Sequence, residues 1–377
     1  MRKILVLLFS LVILISLTAA PTFAIDDPVT FNNNRFGIHI FDIEELEKVP
    51  DLVNSNGGEW GYVTVPIRED QRDREKWQGF MQRCRELKLI PIVRLATTMQ
   101  TYGWSEPTEY TPIDFANFLN DLDWPIKNRY IAVYNEPNHA HEWGGAVNPE
   151  EYAQELERAI QIFKDRNDDF FILGAGFDAA APNDGVKHMR WDTFMQRMYR
   201  HRPDVFKKLD GWNSHSYPNH AFSGSPNDRH DHSIVSFIHE LELAERYAGK
   251  NFPIFITETG WVNTALSDET IARYYEIAFE TVWNNSEIIA ITPFVLHAGA
   301  GPFAPFSLKD AGGNPKPQYL ALQSFPKVKG EPNLNKDDDE FKLVAGEEVN
   351  RVAPYADQSQ PFVYDKWGDV LDWVDWF

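Results

Sequence analysis

The strongest constraint on this chain is a pattern that recurs eight times: a short apolar strand, a polar loop, then an amphipathic helix. The predicted strands are Phe36–Ile40, Gly58–Pro66, Leu89–Ala96, Tyr130–Tyr134, Phe170–Phe177, Leu209–Tyr217, Phe252–Thr257 and Ile288–Leu296. Helical periodicity covers Ile43–Asn54, Asp73–Leu87, Pro112–Leu122, Pro149–Lys164, Trp191–Tyr199, Ser233–Ala248, Ser267–Trp283 and Pro317–Gln323. Pro149 opens its helix with Glu150 and Glu151 in the first turn, where the helix dipole favours acids. Strands that alternate with helices form a parallel sheet covered by helices. Eight such units in this length predict a closed (β/α)8 barrel, an α/β fold. A doubly wound open sheet is the alternative, but no Gly-x-Gly-x-x-Gly follows the first strand.

Both ends of the chain read differently. Residues 1–24 have the layout of a secretory signal: basic Arg2 and Lys3, an apolar run from Ile4 to Leu17, and a small-residue segment ending at Ala24. Secretion is the expectation. An uncleaved membrane anchor is the alternative, although the apolar run is short for a span of about 20 residues. The barrel is assigned to residues 25–326. Residues 327–377 form an acidic extension that docks on the barrel or on a partner domain. Its aromatic end, with Val370, Trp373, Val374 and Phe377 at helical spacing, predicts a short amphipathic helix. The one cysteine, Cys84, permits no intramolecular disulfide, so stability must come from the core.

A formal net charge of −20 opposes binding to nucleic acid or to anionic membranes. It suits a neutral substrate. The 12 Trp and 14 Tyr can fill a core or floor a groove that stacks sugar rings. The chain contains no phosphate-binding Gly-x-x-x-x-Gly-Lys-Ser/Thr loop and no Gly-x-Ser-x-Gly elbow, so neither nucleotide nor serine-hydrolase chemistry is indicated. His139–His141 and His230–His232 are of metal-binding type, but neither pair closes a strand as a barrel metallohydrolase requires. No metal and no cofactor is expected.

Two strands end in glutamate. The fourth runs into Asn135-Glu136-Pro137, and the seventh ends in Thr257-Glu258-Thr259-Gly260. Side chains at the C-terminal ends of barrel strands converge on one face. Two facing carboxylates serve glycosidic bond cleavage, one protonated as acid and one ionised. Asn135 can hold a sugar 2-hydroxyl, and Tyr217, in His215-Ser216-Tyr217 at the end of the sixth strand, can hold Glu258 ionised.

Asn-Glu-Pro closing strand four, Glu closing strand seven and His-x-Tyr closing strand six together resemble the clan A glycoside hydrolases, over about Phe36–Phe325. These are (β/α)8 retaining enzymes that include cellulases, mannanases and β-1,3-glucanases. The resemblance implies Glu136 as acid/base, Asn135 as its sugar-binding companion, Glu258 as nucleophile and Tyr217 as its partner. It also implies a carbohydrate substrate. Two departures stand out. The arginine that many members place after strand two is displaced here to Arg68, and Arg94 on strand three is its replacement. The tryptophan that often closes strand eight is absent, leaving Phe294 or His297. Trp104, Trp143 and Trp261 are expected as sugar-stacking platforms, core packing being the alternative for each. His215 and His39 are further binding candidates. A barrel that binds glycan on a cell surface without cleaving it is the second reading.

Overall fold

The structure, a computed structural model, describes residues 25–335. The segment read as a signal (1–24) and the extension from 336 onward, with its aromatic end, lie outside the described residues.

Eight parallel strands line the interior: β1 (Gly37–His39), β2 (Gly61–Arg68), β3 (Leu89–Ala96), β4 (Arg129–Ala132), β5 (Phe170–Leu173), β6 (Trp212–His215), β7 (Ile254–Glu258) and β8 (Ile288–Ile291). They pair in chain order as one five-stranded and one three-stranded sheet. Single parallel bridges join the two sheets at both seams, Phe36 to Ile291 and Leu173 to Gly211. The strands thus run in a ring, as the alternation predicts. Several strands are shorter than their apolar runs. β5, β6 and β8 stop early because the last residues of each run bend into the loops that build the upper face.

Strand side chains alternate as the pleat requires. Tyr62, Ile90, Ile92, Tyr130, Ala132, Phe171, Leu173 and Phe255 fill the barrel. Their neighbours Val63, Val93, Ile131, Phe170, Ile172, Ile254 and Ile256 point outward against the helices. Both faces are buried, which explains why these strands are continuously apolar.

Eight outer helices are α1 (Pro50–Val53), α2 (Arg74–Glu86), α3 (Thr111–Asn120), α4 (Pro149–Arg166), α5 (Trp191–His201), α6 (Ser236–Ala248), α7 (Asp268–Glu280) and α8 (Pro317–Ser324), and a further single turn, Val205–Lys208, lies between α5 and α6. The first predicted helix is instead a 3-10 stretch, Ile43–Lys48, followed by the single turn of α1. Pro50 lacks the N–H that a continuous helix would need there. Side-chain caps fix several starts: Asp73 accepts from the Lys76 amide, Asn148 from Glu151 and Ser267 from Thr270. Gly249, at φ +69°, ends α6 in the left-handed conformation.

The lower end is closed by the two ends of the described chain. Asp26 receives a hydrogen bond from Asn333 at 2.7 Å, and its amide donates to Asn128 at 2.9 Å. The Lys127 amide donates to the Asn333 carbonyl at 2.8 Å. The Tyr62 hydroxyl donates to Asn33 at 2.8 Å. Lys327 is the main fastener. Its ammonium donates to Ser55 Oγ and to the carbonyls of Leu322, Gln323 and Phe325 at 2.8–3.3 Å, and it lies 4.6 Å from the Phe36 ring. It thereby satisfies the orphan carbonyls at the C-terminus of α8. The first residues of the acidic extension therefore pack on the lower end of the barrel.

Candidate active site

Glu258 is the last residue of β7, and Asn135 and Glu136 follow β4. Between them the backbone turns sharply. Tyr134 sits at φ +70°, a left-handed conformation costing a bulky residue about 1–2 kcal/mol. The turn is held by its surroundings. Tyr134 donates to Glu155 at 3.0 Å, and its ring packs edge-on against Trp143 at 5.6 Å. It redirects the chain so that Asn135 and Glu136 face the barrel mouth.

Glu136, His215 and Glu258 converge there. One ligand-type atom from each lies within 4.8 Å of the other two, and all three residues are buried. His215 Nδ1 is 2.8 Å from Glu136 Oε1 and 3.8 Å from Glu258 Oε2. Arg94 Nη1 donates to Glu258 Oε1 at 2.6 Å and to Asn135 Oδ1 at 2.5 Å. Tyr217 donates to Glu258 Oε2 at 3.0 Å. His39, at the end of β1, is 3.6 Å from Glu258 Oε1. Arg94 thus stands where the displaced Arg68 does not; Arg68 pairs with Asp70.

The two carboxyls are driven apart. Burial pushes Glu136 up, and the His215 hydrogen bond only partly offsets it. Burial acts on Glu258 in the same sense, but the charges of His215 and Arg94 and the Tyr217 hydrogen bond outweigh it. Glu258 is therefore held below the usual carboxylate range. The cause at Glu136 differs from the charge repulsion by Glu258 that two facing carboxylates suggest: it is desolvation, assisted by Asp178. His215 is raised despite its burial, chiefly by Glu258 and Glu136. Burial drives His39 down to about 3, so its imidazole is neutral.

Neither ring nitrogen of His39 has a hydrogen-bond partner among the described residues, although the side chain is fully buried. Such orphaned polar atoms are costly in an interior. His215 is held from behind by Gly176. A Cβ at position 176 would stand 2.1 Å from His215 Cδ2 and 2.5 Å from its Nε2.

Phe294 belongs to an aromatic wall beside His39, 5.1 Å from that ring and 5.4 Å from Phe41, with Phe303 and Phe306 behind it. His297 lies further out and contacts the Asp310 carbonyl at 3.1 Å. Trp104 is half-buried and lines a shallow, solvent-open recess with Arg94, Asn135 and Glu142.

Two expected platforms are corrected. Trp143 and Trp261 are each only 1% exposed. Trp143 borders the same recess from within the core, edge-on to Tyr134 and Tyr152 at 5.6 and 5.3 Å. Trp261 packs on Tyr275 and Trp283 at 5.0 and 6.0 Å, and its Nε1 donates to the Gly224 carbonyl at 2.8 Å. Neither ring offers a face to a sugar. Sequence reasoning passed over Glu142 and Phe41. Glu142 lies six residues beyond Glu136, between His141 and Trp143, and that setting was the available signal.

Glu136, His215 and Glu258 have the composition of a cation site. Their charge is already answered by the protein. Arg94 occupies Glu258 Oε1, and a dication would have to sit beside that guanidinium. Among the described residues no group of three metal-type ligands includes His139, His141, His230 or His232.

No protein-family model matches the chain, and no curated protein matches it in sequence. Solved structures do match in fold. A family 5 glycoside hydrolase from Streptomyces cattleya, solved with GlcNAc or with Manβ1-4GlcNAc, is 17–18% identical, with TM-score 0.54. It covers 77–78% of this chain and 79–80% of its own. A family 51 α-L-arabinofuranosidase from Bifidobacterium longum is 11% identical, with TM-score 0.54, covering 79% of this chain and 73% of its own. A family 39 glycoside hydrolase from Bacteroides cellulosilyticus is 16% identical, with TM-score 0.53 and 79% of this chain covered. The chain spans 64% of that enzyme's length. These likenesses show the fold: this chain shares the (β/α)8 barrel of these solved glycoside hydrolases.

Proposed function

We propose that the protein is a secreted glycoside hydrolase that cleaves β-glycosidic bonds in a polysaccharide or oligosaccharide with retention of configuration. The observation that carries this is the pair Glu136 and Glu258: carboxylate oxygens within 4.8 Å of each other, with opposite bias in protonation. A separation of about 5–5.5 Å suits direct attack, whereas inversion needs roughly 6.5–9.5 Å to admit a water.

Glu258 attacks the anomeric carbon while Glu136 gives its proton to the leaving oxygen, and a covalent glycosyl-enzyme forms. Glu136, now ionised, takes a proton from water. That water displaces Glu258 and restores both groups. Arg94 and Tyr217 hold the two oxygens of Glu258 in line and ionised. His215 contacts both carboxyls and carries the positive charge that keeps the pair compatible. His39 donates to or accepts from a sugar hydroxyl through its free nitrogens. Asn135 faces the 2-hydroxyl, and Phe294 lies against the ring. Secretion rests on residues 1–24 alone.

Replacing Glu258 by Ala should lower kcat/KM on an aryl β-glycoside by at least about 10⁴-fold. Azide should restore part of the turnover, giving a glycosyl azide of inverted configuration. Tight binding of one glycan with no turnover by the intact protein, across gluco-, manno-, xylo- and galacto-configured substrates, would instead establish the non-catalytic reading.

A further inference from the structure

The turn that carries Glu136 is tied down from the loop after β5. The His139 amide donates to the Glu136 carbonyl at 2.9 Å and closes the turn. Asn138, fully buried, laces the turn to its neighbour. Its Nδ2 donates to the carbonyls of Asp178 and Met189 at 2.9 and 3.1 Å, and its Oδ1 accepts from the Asp178 amide at 3.2 Å. The His139 ring then meets the Asp178 side chain, Nε2 to Oδ2 at 2.6 Å, and Asp178 Oδ1 accepts from the Ala180 amide at 2.8 Å. Asp178 also forms a parallel backbone bridge with His215, whose ring packs on Gly176 two residues earlier. One short segment, 176–178, therefore backs His215 and holds His139. Both lead to Glu136, His215 through the carboxyl and His139 through the backbone.

Stability does not account for this pair. A buried ion pair contributes little on balance, because desolvation offsets the attraction. His139 Nδ1 is buried with no hydrogen-bond partner among the described residues, which is a further cost. The rings of His141 and His188 stand edge-on to His139 at 5.3 and 4.9 Å and box it into one orientation. Burial lowers the His139 pKa, but Asp178 outweighs burial and the ring is raised above its ordinary value. Burial raises Asp178, and His139 outweighs it in turn. Charge is thus kept on both partners in an interior that disfavours it, directly beside the turn of the acid.

We infer that His139 and Asp178 are positioning residues for the acid/base. As a pair they hold the turn of Glu136 against His215, so that the carboxyl keeps the orientation from which it protonates the leaving oxygen. This role rests on the glycosidase reading and deepens it: the pair serves the acid step and has no task in the attack by Glu258.

The test compares leaving groups. A sugar or alkyl leaving group needs the proton of Glu136, whereas dinitrophenolate departs without one. Asp178→Asn and His139→Ala should each lower kcat/KM by about 10–100-fold on an alkyl β-glycoside or disaccharide that the wild type cleaves, and by less than about 3-fold on the 2,4-dinitrophenyl glycoside of the same sugar. His139→Gln keeps a donor for Asp178 and should lose less than His139→Ala. Equal losses on the two kinds of leaving group would make the pair general packing, and no loss would remove it from the acid step; either result overturns the inference. If the wild type cleaves no glycoside, the glycosidase reading fails separately. Nuclear magnetic resonance on the full chain then decides the pair, through the His215 Nδ1 proton signal, assigned by its absence in His215→Phe. Movement of that signal in both Asp178→Asn and His139→Ala supports the role, and an unmoved signal overturns it.

Discussion

The two ends of the barrel solve opposite problems with the same strands. Below, polar groups are paired. Tyr62 finds Asn33, Asn128 finds Asp26, and Lys327 is surrounded by three carbonyls and a hydroxyl. Above, polar groups are buried and left incomplete. Both ring nitrogens of His39, Arg94 Nε and His215 Nε2 have no hydrogen-bond partner among the described residues. Pairing stabilises the lower end. Leaving groups unpaired costs stability at the upper end, and such a cost persists where a ligand supplies the missing partners. The comparison teaches that stability and activity should separate along the barrel axis.

The largest expected effect is on the upper end's acid. Activity needs Glu258 ionised and Glu136 protonated. With Glu258 held low and Glu136 high, kcat/KM should be bell-shaped, rising as Glu258 loses its proton and falling at higher pH as Glu136 loses its own. Glu136→Gln should cost about 10²–10⁴-fold on substrates with poor leaving groups and should remove the alkaline limb. An unchanged alkaline limb in that variant would assign it to another group, with His215 next in line.

His39→Phe sharpens the contrast between the ends. The ring would enter a site already lined by Phe41 and Phe294. We expect kcat/KM to fall at least about 10-fold while thermal stability holds or rises, because two orphaned nitrogens disappear. A parallel loss of Tm would show that His39 is structural.

At the lower end, a chain ending at residue 326 should be less stable than one ending at 335 by about 2–4 kcal/mol, read from denaturant midpoints. It forfeits Lys327 with its carbonyl partners and the contacts of Asn333 and Asn335. Equal midpoints would break the claim that this strip fastens the barrel.

The smallest effect concerns Glu240 on α6, buried behind the site against Trp212 Nε1 at 3.2 Å. Burial raises its pKa from 4.5 to about 7. A raised folded-state value means that its contribution to stability is complete below about pH 4.5 and is lost as pH rises through 7. Tm should therefore decline between pH 5 and pH 8, and Glu240→Gln should flatten part of that slope. Glu45, also raised to about 7 by burial, accounts for some of the remainder.

The barrel was legible because its two periods, strand and helix, repeat eight times and each apolar run is long enough to declare itself. Glu136 and Glu258 were legible because a charge at the end of a buried strand has few reasons to be there. Trp143 and Trp261 misled because a tryptophan in a loop of the upper face looks the same in sequence whether its ring faces solvent or the core. The edge contacts with Tyr152 and Tyr275 that draw them inward come from α4 and α7, the helices that follow those two loops, and only the packed helix shows on which side of the loop its tyrosine lies. Glu142 was missed for the converse reason: a loop glutamate reads as solvated, and only the packed hairpin around Trp104 encloses it. The reach of Lys327 back to Ser55 is a contact across 272 positions, which no local pattern in the sequence announces.

Gly176 has the smallest side chain near the site and no chemistry of its own. Its φ lies outside the left-handed region, so the backbone itself would accept alanine. What forbids a single added methyl is the imidazole of His215, pressed flat against the bare Cα and backed into contact with both carboxyls. In a saturation scan ranked by activity, position 176 should therefore fall among the catalytic acids, while ranked by expression it should pass for an ordinary core position. Residues that carry no charge and touch no substrate can still be the ones through which a site's electrostatics are inherited or lost.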